Sequence, residues 1–209
     1  MDWRKEYAEK IVSVEEAVRH VQSGNRIVFT HACGEAQALT DELVRQADRL
    51  ENVEIVHMVA MGKAPYCQPG MEKHFRHNAL FVGGSTRKAV EEGRGDYTPC
   101  FFHEIPKLFT DGTLPVDVAF LQLSEPDENG VCSYGVSVDY TQPAAEAAKL
   151  VIAQINKNMP YTYGNGINLK DIDYIVEKDE PLIELQPPKI GETEHKIGEY
   201  VASLIHDGD

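Results

Sequence analysis

Short apolar runs alternate with amphipathic stretches along most of the chain. The apolar runs predict strands at residues 26–30, 53–60, 79–83, 116–123, 150–155 and 172–176, with a brief extended piece at 131–134. The amphipathic stretches predict helices at residues 12–22, 37–50, 85–92, 104–109 and 144–149. Because residues 116–123 and 150–155 are almost wholly apolar, they are typical of strands buried on both faces. The alternation predicts an α/β fold with a layered, open and mainly parallel sheet flanked by helices.

The segment between the second and third predicted strands, residues 61–78, shows no regular periodicity and contains two prolines and two glycines. Irregular segments of this length in compact domains are usually functional or mobile. Two of its histidines, His74 and His77, lie close together in sequence and are expected on an exposed turn. The other histidines are scattered, so we predict an irregular loop here and no metal site.

The end of the chain differs in character from the rest. Residues 177–189 are acidic and punctuated by prolines, which predicts an extended crossing segment or linker. Residues 192–206 predict an amphipathic helix with Ile197, Val201, Leu204 and Ile205 on one stripe. A helix of this kind normally delivers the chain to another element. We therefore expect one α/β domain at 1–190, and a helix within 191–209 that leads toward a C-terminal domain absent from this chain.

Charge and cysteine content limit the classes of protein to which this chain can belong. The chain has 20 Lys and Arg against 34 Asp and Glu, a net charge of −14. This balance argues against general binding to nucleic acid or to an anionic membrane, because both need a basic face. No apolar run approaches the ~18 residues of a membrane span, and the N-terminus has no apolar signal region. The four cysteines form no C-x-x-C pair. We expect a cytoplasmic protein.

The candidate chemistry lies in loops that follow predicted strands, where open α/β sheets bind ligands. In the first loop, Gly34 allows close backbone approach, and Glu35 to Gln37 would lie at a helix N-terminus with free N–H groups. An ordinary strand-to-helix turn is the alternative. His31 in the same loop is by itself more often a hydrogen-bonded structural histidine than a catalytic base.

A second loop, after the third predicted strand, contains Gly84, Ser85 and Arg87. Glycine, a hydroxyl and a cation at the start of a helix are consistent with an anion-binding site. A salt bridge between Arg87 and a carboxylate of this acidic chain is the alternative, and the sequence leaves both interpretations open.

Two further loops follow the buried strands. Residues 124–139 are tightly turned and polar, and could line a crevice or form one more hairpin. Their Cys132 is a weak nucleophile candidate, because no His–Asp partner is identifiable nearby in sequence. Residues 156–166 concentrate amide side chains, which could donate to a carbonyl or carboxylate or merely satisfy the loop's own backbone.

Taken in order, these loops resemble the N-terminal half of the acetyl-CoA hydrolase/transferase family. The matching stretches are GEAQAL at 34–39, FVGGSTRKAVEEGRGDYTP at 81–99, SEPDENGVCSYGVSVDYT at 124–141, INKNMPYTYGN at 155–165 and DIDYIVEKDEPL at 171–182. The resemblance is greatest to the branch that transfers CoA to 4-hydroxybutyrate. Two departures are Ala36, where proline is usual, and Gly166, where serine is usual.

The resemblance implies acyl transfer through a glutamate that forms a glutamyl-CoA intermediate. In the family this glutamate lies in the C-terminal half, so no catalytic residue is expected in this chain, and the chain alone is expected to be inactive. Coenzyme A would serve as a substrate, carried as acyl-CoA, and no metal is implied. The partners implied are acyl-CoA and small carboxylates, with no nucleic acid or membrane, and the full-length protein would be a homodimer.

By resemblance, this half would form the facing wall of an interdomain cleft, which shapes the acyl pocket and orients the carboxylate. The implied substrate-binding residues are His31, Gly34, Glu35, Gln37, Ser137, Asp139, Asn158, Met159, Thr162, Gly164 and Asn165. Two alternatives remain open: an acetyl-CoA hydrolase half, with water in place of the acid, and a non-catalytic interaction domain on the same scaffold.

Overall fold

A computed structural model describes residues 2–209 of the chain. The strands are β1 (Arg26–Phe29), β2 (Val53–His57), β3 (Phe75–Ala79), β4 (Gly95–Tyr97), β5 (Val118–Leu123), β6 (Val131–Ser133), β7 (Leu150–Ile155), β8 (Gly166–Asn168) and β9 (Tyr174–Glu177). The α-helices are α1 (Trp3–Glu6), α2 (Val14–Arg19), α3 (Gln37–Arg45), α4 (Arg87–Glu91), α5 (Ile105–Thr110), α6 (Thr141–Ala147) and α7 (Glu192–Ala202). Short 3₁₀ turns lie at Ala32–Gly34, Ala47–Arg49, Pro65–Cys67, Phe102–Glu104 and Leu169–Asp171.

Seven strands form one parallel sheet in the order β4-β3-β2-β1-β5-β7-β9, while β6 and β8 pair antiparallel. The predicted α/β fold with a mainly parallel sheet is therefore confirmed. From β1 the chain moves outward through β2 and β3 to β4, and then returns to β5 on the other side of β1. The strand order thus reverses between β1 and β5, which makes this point the expected ligand crevice of the sheet.

Both faces of the sheet are buried beneath helices, as the apolar runs predict. In β1, Ile27 and Phe29 pack in one cluster with Leu39 of α3, whereas Val28 packs on the opposite face with Ile105 of α5. All six side chains of β5 are buried, and five of the six in β7. Burial of alternate side chains on opposite faces fixes the strand register, because a one-residue slip would exchange the two faces.

The third strand does not lie where the sequence predicts it. An apolar run predicts a strand at 79–83, but β3 spans Phe75–Ala79 and carries three polar residues. Those residues have partners on the neighbouring strands: Arg76 pairs with Asp96 at 2.6 Å, and Asn78 donates to the Glu54 carboxylate at 2.8 Å. Cross-strand pairing therefore outweighs local hydrophobicity at this position. The predicted irregular segment 61–78 ends earlier than expected for the same reason.

The expectation that His74 and His77 lie on an exposed turn is wrong for His77, whereas His74 does lie in a turn but is only partly exposed. His77 belongs to β3 and is 2% exposed, with its Nδ1 3.1 Å from the carbonyl oxygen of Ile55. His74 precedes the strand and is half-buried, with its Nδ1 2.7 Å from the carbonyl oxygen of Leu50. Each ring has a nitrogen within hydrogen-bond distance of a backbone carbonyl, and only the His77 ring is withdrawn from solvent.

The helix predicted at 144–149 begins and ends earlier, at Thr141–Ala147. Pro143 lies in its first turn, where a missing N–H costs no intrahelical hydrogen bond. At the other end Ala148 is extended, and Lys149 donates its N–H to the carbonyl of Val116, so the chain already leads into β7. The helix predicted at 104–109 is present one residue later, as α5.

The final helix, α7, is shorter than the predicted 192–206, and every side chain in it is exposed. Its apolar stripe includes Ile197 at 56% and Val201 at 55% exposure, and Leu204 and Ile205 follow the helix, also exposed. The division of the chain at residue 190 stays a prediction. Among the described residues, none of the helices combines the length and the apolar character needed to cross a membrane.

Candidate functional site

The site lies where the carboxyl ends of β1, β5 and β7 meet, at the reversal of strand order. The loop after β1 runs from Thr30 to Ala36, directly before α3. Ser137 and Asp139 come from the segment between β6 and α6. The fold therefore brings the first and third candidate loops together, although more than 100 residues separate them in sequence.

A histidine–aspartate pair forms the centre of this contact. His31 Nδ1 lies 2.7 Å from Asp139 Oδ2, and the other Asp139 oxygen accepts the backbone N–H of Tyr140 at 2.6 Å. The backbone N–H of His31 donates to Ser137 Oγ at 2.8 Å. The His31 and Asp139 side chains are 16% and 24% exposed. The imidazole is therefore fixed in orientation by a carboxylate that is itself anchored, at the edge of the protein surface.

Gly34 allows this close approach of the two loops. A Cβ atom at position 34 would lie 2.6 Å from Ser137 Cβ and 3.3 Å from Ser137 Oγ. The Gly34 carbonyl accepts hydrogen bonds from the Thr30 hydroxyl at 2.5 Å and from the Gln122 amide at 3.3 Å. Only glycine fits here without displacing Ser137.

Glu35 is a buried carboxyl group beside the first turn of α3. It is 2% exposed, and its Oε2 accepts the backbone N–H of Gly62 at 3.2 Å. A Cβ at position 62 would lie 2.6 Å from that oxygen, so Gly62 is needed for the contact. Burial raises the pKa of Glu35 to about 7, although the Gly62 N–H and the Thr40 hydroxyl oppose the shift. Gln37, the first residue of α3, lines a narrow crevice beside it.

The raised pKa of Glu35 predicts a pH dependence of stability. The folded chain keeps the proton up to about pH 7, whereas the unfolded chain releases it near pH 4.5. The free energy of unfolding should therefore fall as the pH rises between these values, by on the order of 3 kcal/mol. Glu35→Gln should remove this loss and raise the stability at pH 8. Denaturant unfolding at pH 5 and pH 8 measures it, and the exposed Glu9→Gln is the control. An unchanged pH dependence in Glu35→Gln would contradict the assignment.

Buried amide side chains support the same edge of the sheet. Gln122 Nε2 donates to the Glu35 carbonyl at 2.7 Å, and Asn156 Nδ2 donates to Gln122 Oε1 at 2.7 Å. Asn156 also donates to the Glu180 carbonyl, and Gln154 Nε2 donates to Glu180 Oε1 at 2.8 Å. None of these buried amides is among the site residues predicted from the sequence. A signal was available, because Gln122 and Gln154 are the single polar residues of the apolar strands β5 and β7.

The fourth candidate loop, after β7, uses most of its polar groups within the chain. Asn158 and Asn165 donate their side-chain amides to protein acceptors at 3.0 and 2.7 Å, and the Thr162 hydroxyl donates to a backbone carbonyl at 3.0 Å. Met159 is 3% exposed, and Gly164 has a φ of +134°. These residues hold the loop in shape, and their contact with substrate stays a prediction.

The predicted anion-binding group lies at the start of α4, a helix of only five residues. The Ser85 hydroxyl donates to the carbonyl of Ala60 at 2.5 Å, so its proton is already used. Gly84 and Arg87 are exposed. The neighbouring Lys88 pairs with Glu92 at 3.7 Å, whereas within residues 2–209 Arg87 has no such carboxylate partner. The structure does not bring this group to the His31–Asp139 pair by any contact.

The described residues give little support to Cys132 as a nucleophile or to a metal site. Cys132 is fully buried, and burial raises the pKa of its thiol to about 12, so it is not a thiolate at neutral pH. No group of three or more His, Cys, Asp or Glu side chains within 2–209 is arranged to hold a metal ion.

Comparison with known proteins gives consistent matches. The sequence profile of the acetyl-CoA hydrolase/transferase N-terminal domain matches residues 1–186. The chain is 60% identical over 209 residues to 4-hydroxybutyrate coenzyme A transferase of Clostridium kluyveri, covering 100% of the chain and 49% of that protein. It is 36% identical over 207 residues to succinyl-CoA:cyclohexane-1-carboxylate CoA transferase of Geobacter metallireducens, covering 99% and 47%.

Solved structures match over the whole chain as well. The crystal structure of 4-hydroxybutyrate CoA-transferase from Porphyromonas gingivalis superposes with a TM-score of 0.81 at 38% identity, covering 100% of this chain and 49% of that one. RipA from Yersinia pestis superposes with a TM-score of 0.92 at 26% identity, covering 100% and 51%. The chain thus spans about half the length of the curated relatives that it matches.

Proposed function

The chain belongs to the acetyl-CoA hydrolase/transferase family, and on this basis we propose that it forms the N-terminal half of a CoA-transferase. The proposed reaction moves CoA from an acyl-CoA such as acetyl-CoA to a small carboxylic acid such as 4-hydroxybutyrate. The observation that carries this proposal is the 60% identity, over the whole chain, to a 4-hydroxybutyrate coenzyme A transferase.

The activities for which the relatives are named favour transfer of CoA to an acid over hydrolysis. The two curated relatives described above are both CoA transferases, and they differ in the acid that receives CoA. The identity is 60% to the 4-hydroxybutyrate enzyme and 36% to the enzyme for cyclohexane-1-carboxylate. This difference supports a short hydroxy acid as the acceptor.

The covalent steps are assigned to a glutamate outside this chain. Its carboxylate would attack the acyl-CoA thioester carbon and release the CoA thiolate, leaving a mixed anhydride. The thiolate would then attack the glutamyl carbonyl, which releases the acyl group as a carboxylate and leaves a glutamyl-CoA thioester. The incoming acid would collect the CoA by the reverse sequence. None of these steps needs a nucleophile from residues 1–209.

The residues of this chain would form the facing wall of the cleft. The His31–Asp139 pair and Ser137 would position the acyl group and the carboxylate of the acid, because they form a partly exposed polar surface of fixed orientation. Glu35 and Gln37 would close the pocket behind them. The loop from Asn158 to Asn165 would form the rim, and Arg87 would offer a cation to an anionic part of CoA.

We also propose a cytoplasmic location for the protein. All four cysteines are unpaired, which is compatible with a reducing cytoplasm. The exposed apolar stripe of α7 would pack on a following C-terminal domain, and the full-length protein would act as a homodimer, by analogy with the family.

The proposal predicts that full-length protein forms 4-hydroxybutyryl-CoA and acetate from acetyl-CoA and 4-hydroxybutyrate. Product analysis by mass spectrometry, with and without the acid, measures this. Formation of the new thioester only when the acid is present would support transfer. Release of free CoA at the same rate without the acid would identify a hydrolase, and no reaction in either mixture would favour a non-catalytic domain.

A further inference from the structure

An aromatic groove lies on the surface at the carboxyl end of the edge strand β4. Three large apolar side chains at and after the end of this strand are exposed: Tyr97 at 52%, Phe101 at 71% and Phe102 at 46%. The groove has a volume of about 350 Å³ and is lined by Tyr97, Pro99, Cys100, Phe101 and Glu104. Pockets of roughly 300–1,000 Å³ hold small organic ligands, and neighbouring exposed apolar side chains mark binding surfaces.

Hydrogen bonds hold the backbone of the groove in place. The Thr98 N–H donates to the Ala79 carbonyl at 2.9 Å, and the Thr98 hydroxyl donates to Asn78 Oδ1 at 2.8 Å, so the segment is tied to β3. At its other end the Phe101 N–H donates to Glu104 Oε2 at 3.0 Å, in the turn that leads into α5. Because the segment is tied at both ends, its backbone is already ordered before a ligand binds.

The groove is continuous with the His31–Asp139 pair. Phe102 adjoins Phe101 in the chain, and its ring centroid lies 5.5 Å from that of His31, with the ring planes inclined at 64°. Arg87 lies at the same edge of the sheet, because α4 begins after the carboxyl end of β3, the neighbour of β4. A molecule in the groove would therefore have one end at the candidate site.

The charge of the groove decides which part of CoA fits it. Glu104 is the charged residue among the five that line the groove, and its carboxylate disfavours phosphate groups. The aromatic rings and Pro99 instead offer apolar surface to methyl and methylene groups. CoA carries such groups in its uncharged pantetheine arm, which joins the thioester to the anionic nucleotide.

We propose that this groove binds the pantetheine arm of CoA, with the thioester end toward His31 and the nucleotide beyond the groove. The inference rests on the proposed function and names the part of that substrate which this chain holds. Tyr97 and Phe101 would pack against the arm. Glu104 would keep the phosphates out of the groove, so that the arm binds in one direction.

Equilibrium binding to the full-length protein tests the role of Phe101. Phe101→Ala should raise the Kd of CoA about tenfold, because the arm loses an aromatic contact. The Kd of adenosine 3′-phosphate 5′-diphosphate, the nucleotide of CoA without the arm, should stay within twofold. Leu185→Ala is the control, since Leu185 is 76% exposed and follows β9, outside the groove. Tyr97→Ala gives a second reading if Phe101→Ala fails to fold.

The other outcomes contradict the proposal in distinguishable ways. An equal rise in Kd for CoA and for the nucleotide would place the nucleotide in the groove and overturn the assignment of the arm. An unchanged Kd of CoA in both Phe101→Ala and Tyr97→Ala would overturn it as well, and sedimentation of the variants would show whether a second copy covers the groove. If the wild-type protein binds no CoA, the proposed function fails and this inference fails with it.

Discussion

Replacing Gly34 by alanine is expected to lower the turnover of the full-length protein by on the order of 100-fold while the chain remains folded. The new Cβ would lie 2.6 Å from Ser137 Cβ, so either the Thr30–Ala36 loop or Ser137 must move. Because Ser137 Oγ accepts the His31 N–H, that movement also displaces the imidazole from the cleft wall. A displacement of about 1 Å is enough to lose this much rate when the geometry of the reacting groups is fixed.

The matched control is Gly83→Ala, at the same edge of the sheet. A Cβ there would have its closest contacts at 3.9 Å, which is ordinary van der Waals distance. Steady-state CoA transfer from acetyl-CoA to 4-hydroxybutyrate measures both variants, and circular dichroism checks their folding. If Gly34→Ala transfers CoA as fast as Gly83→Ala, the loop does not form the wall of the cleft.

Asp139→Asn is expected to lower kcat/KM by on the order of tenfold to hundredfold. The carboxylate accepts the Nδ1 hydrogen of His31 at 2.7 Å and so fixes both the orientation and the tautomer of the imidazole. An amide of the same size can keep the hydrogen bond from Tyr140 N–H, but it presents either an N–H or a neutral oxygen to His31. Under the proposed function Asp139 would act on substrate through His31, which makes it a positioning residue.

A matched carboxylate provides the control for this variant. Asp111 follows α5, outside the candidate site. It is exposed and accepts the Thr113 N–H at 2.9 Å, so Asp111→Asn removes one charge and one carboxylate acceptor there. A structural role alone would lower stability and leave kcat and KM of the folded fraction unchanged. The positioning role predicts a change in the kinetic constants of the folded Asp139→Asn protein, measured as separate kcat and KM values.

The strands most accessible to sequence reasoning were those buried on both faces. Residues 116–123 and 150–155 predict strands within two residues of β5 and β7, because a continuous apolar run of that length is compatible with few alternatives. β3 was misplaced, since its polar residues are satisfied by Asp96 and Glu54 on neighbouring strands. Pairing of this kind depends on strand order, which local composition does not encode.

The candidate site, too, could be predicted from the sequence only in part. The loop residues His31 and Asp139 stand out in sequence by their position and type, but their contact joins residues 108 positions apart. Only the reversal of strand order between β1 and β5 brings the two loops together. The buried state of Glu35 likewise depends on Gly62, in a loop that periodicity describes only as irregular. Long-range contacts, and the pKa shifts they cause, required the folded structure.

The central claim is that this chain supplies the wall of a CoA-transferase cleft while the nucleophile lies outside it. The most direct test compares the 209-residue chain with the full-length protein in the transfer of CoA from acetyl-CoA to 4-hydroxybutyrate. We predict transfer by the full-length protein and none by the 209-residue chain, with no CoA thioester formed on that chain. Turnover by the 209-residue chain alone at a rate comparable to the full-length protein would contradict the claim.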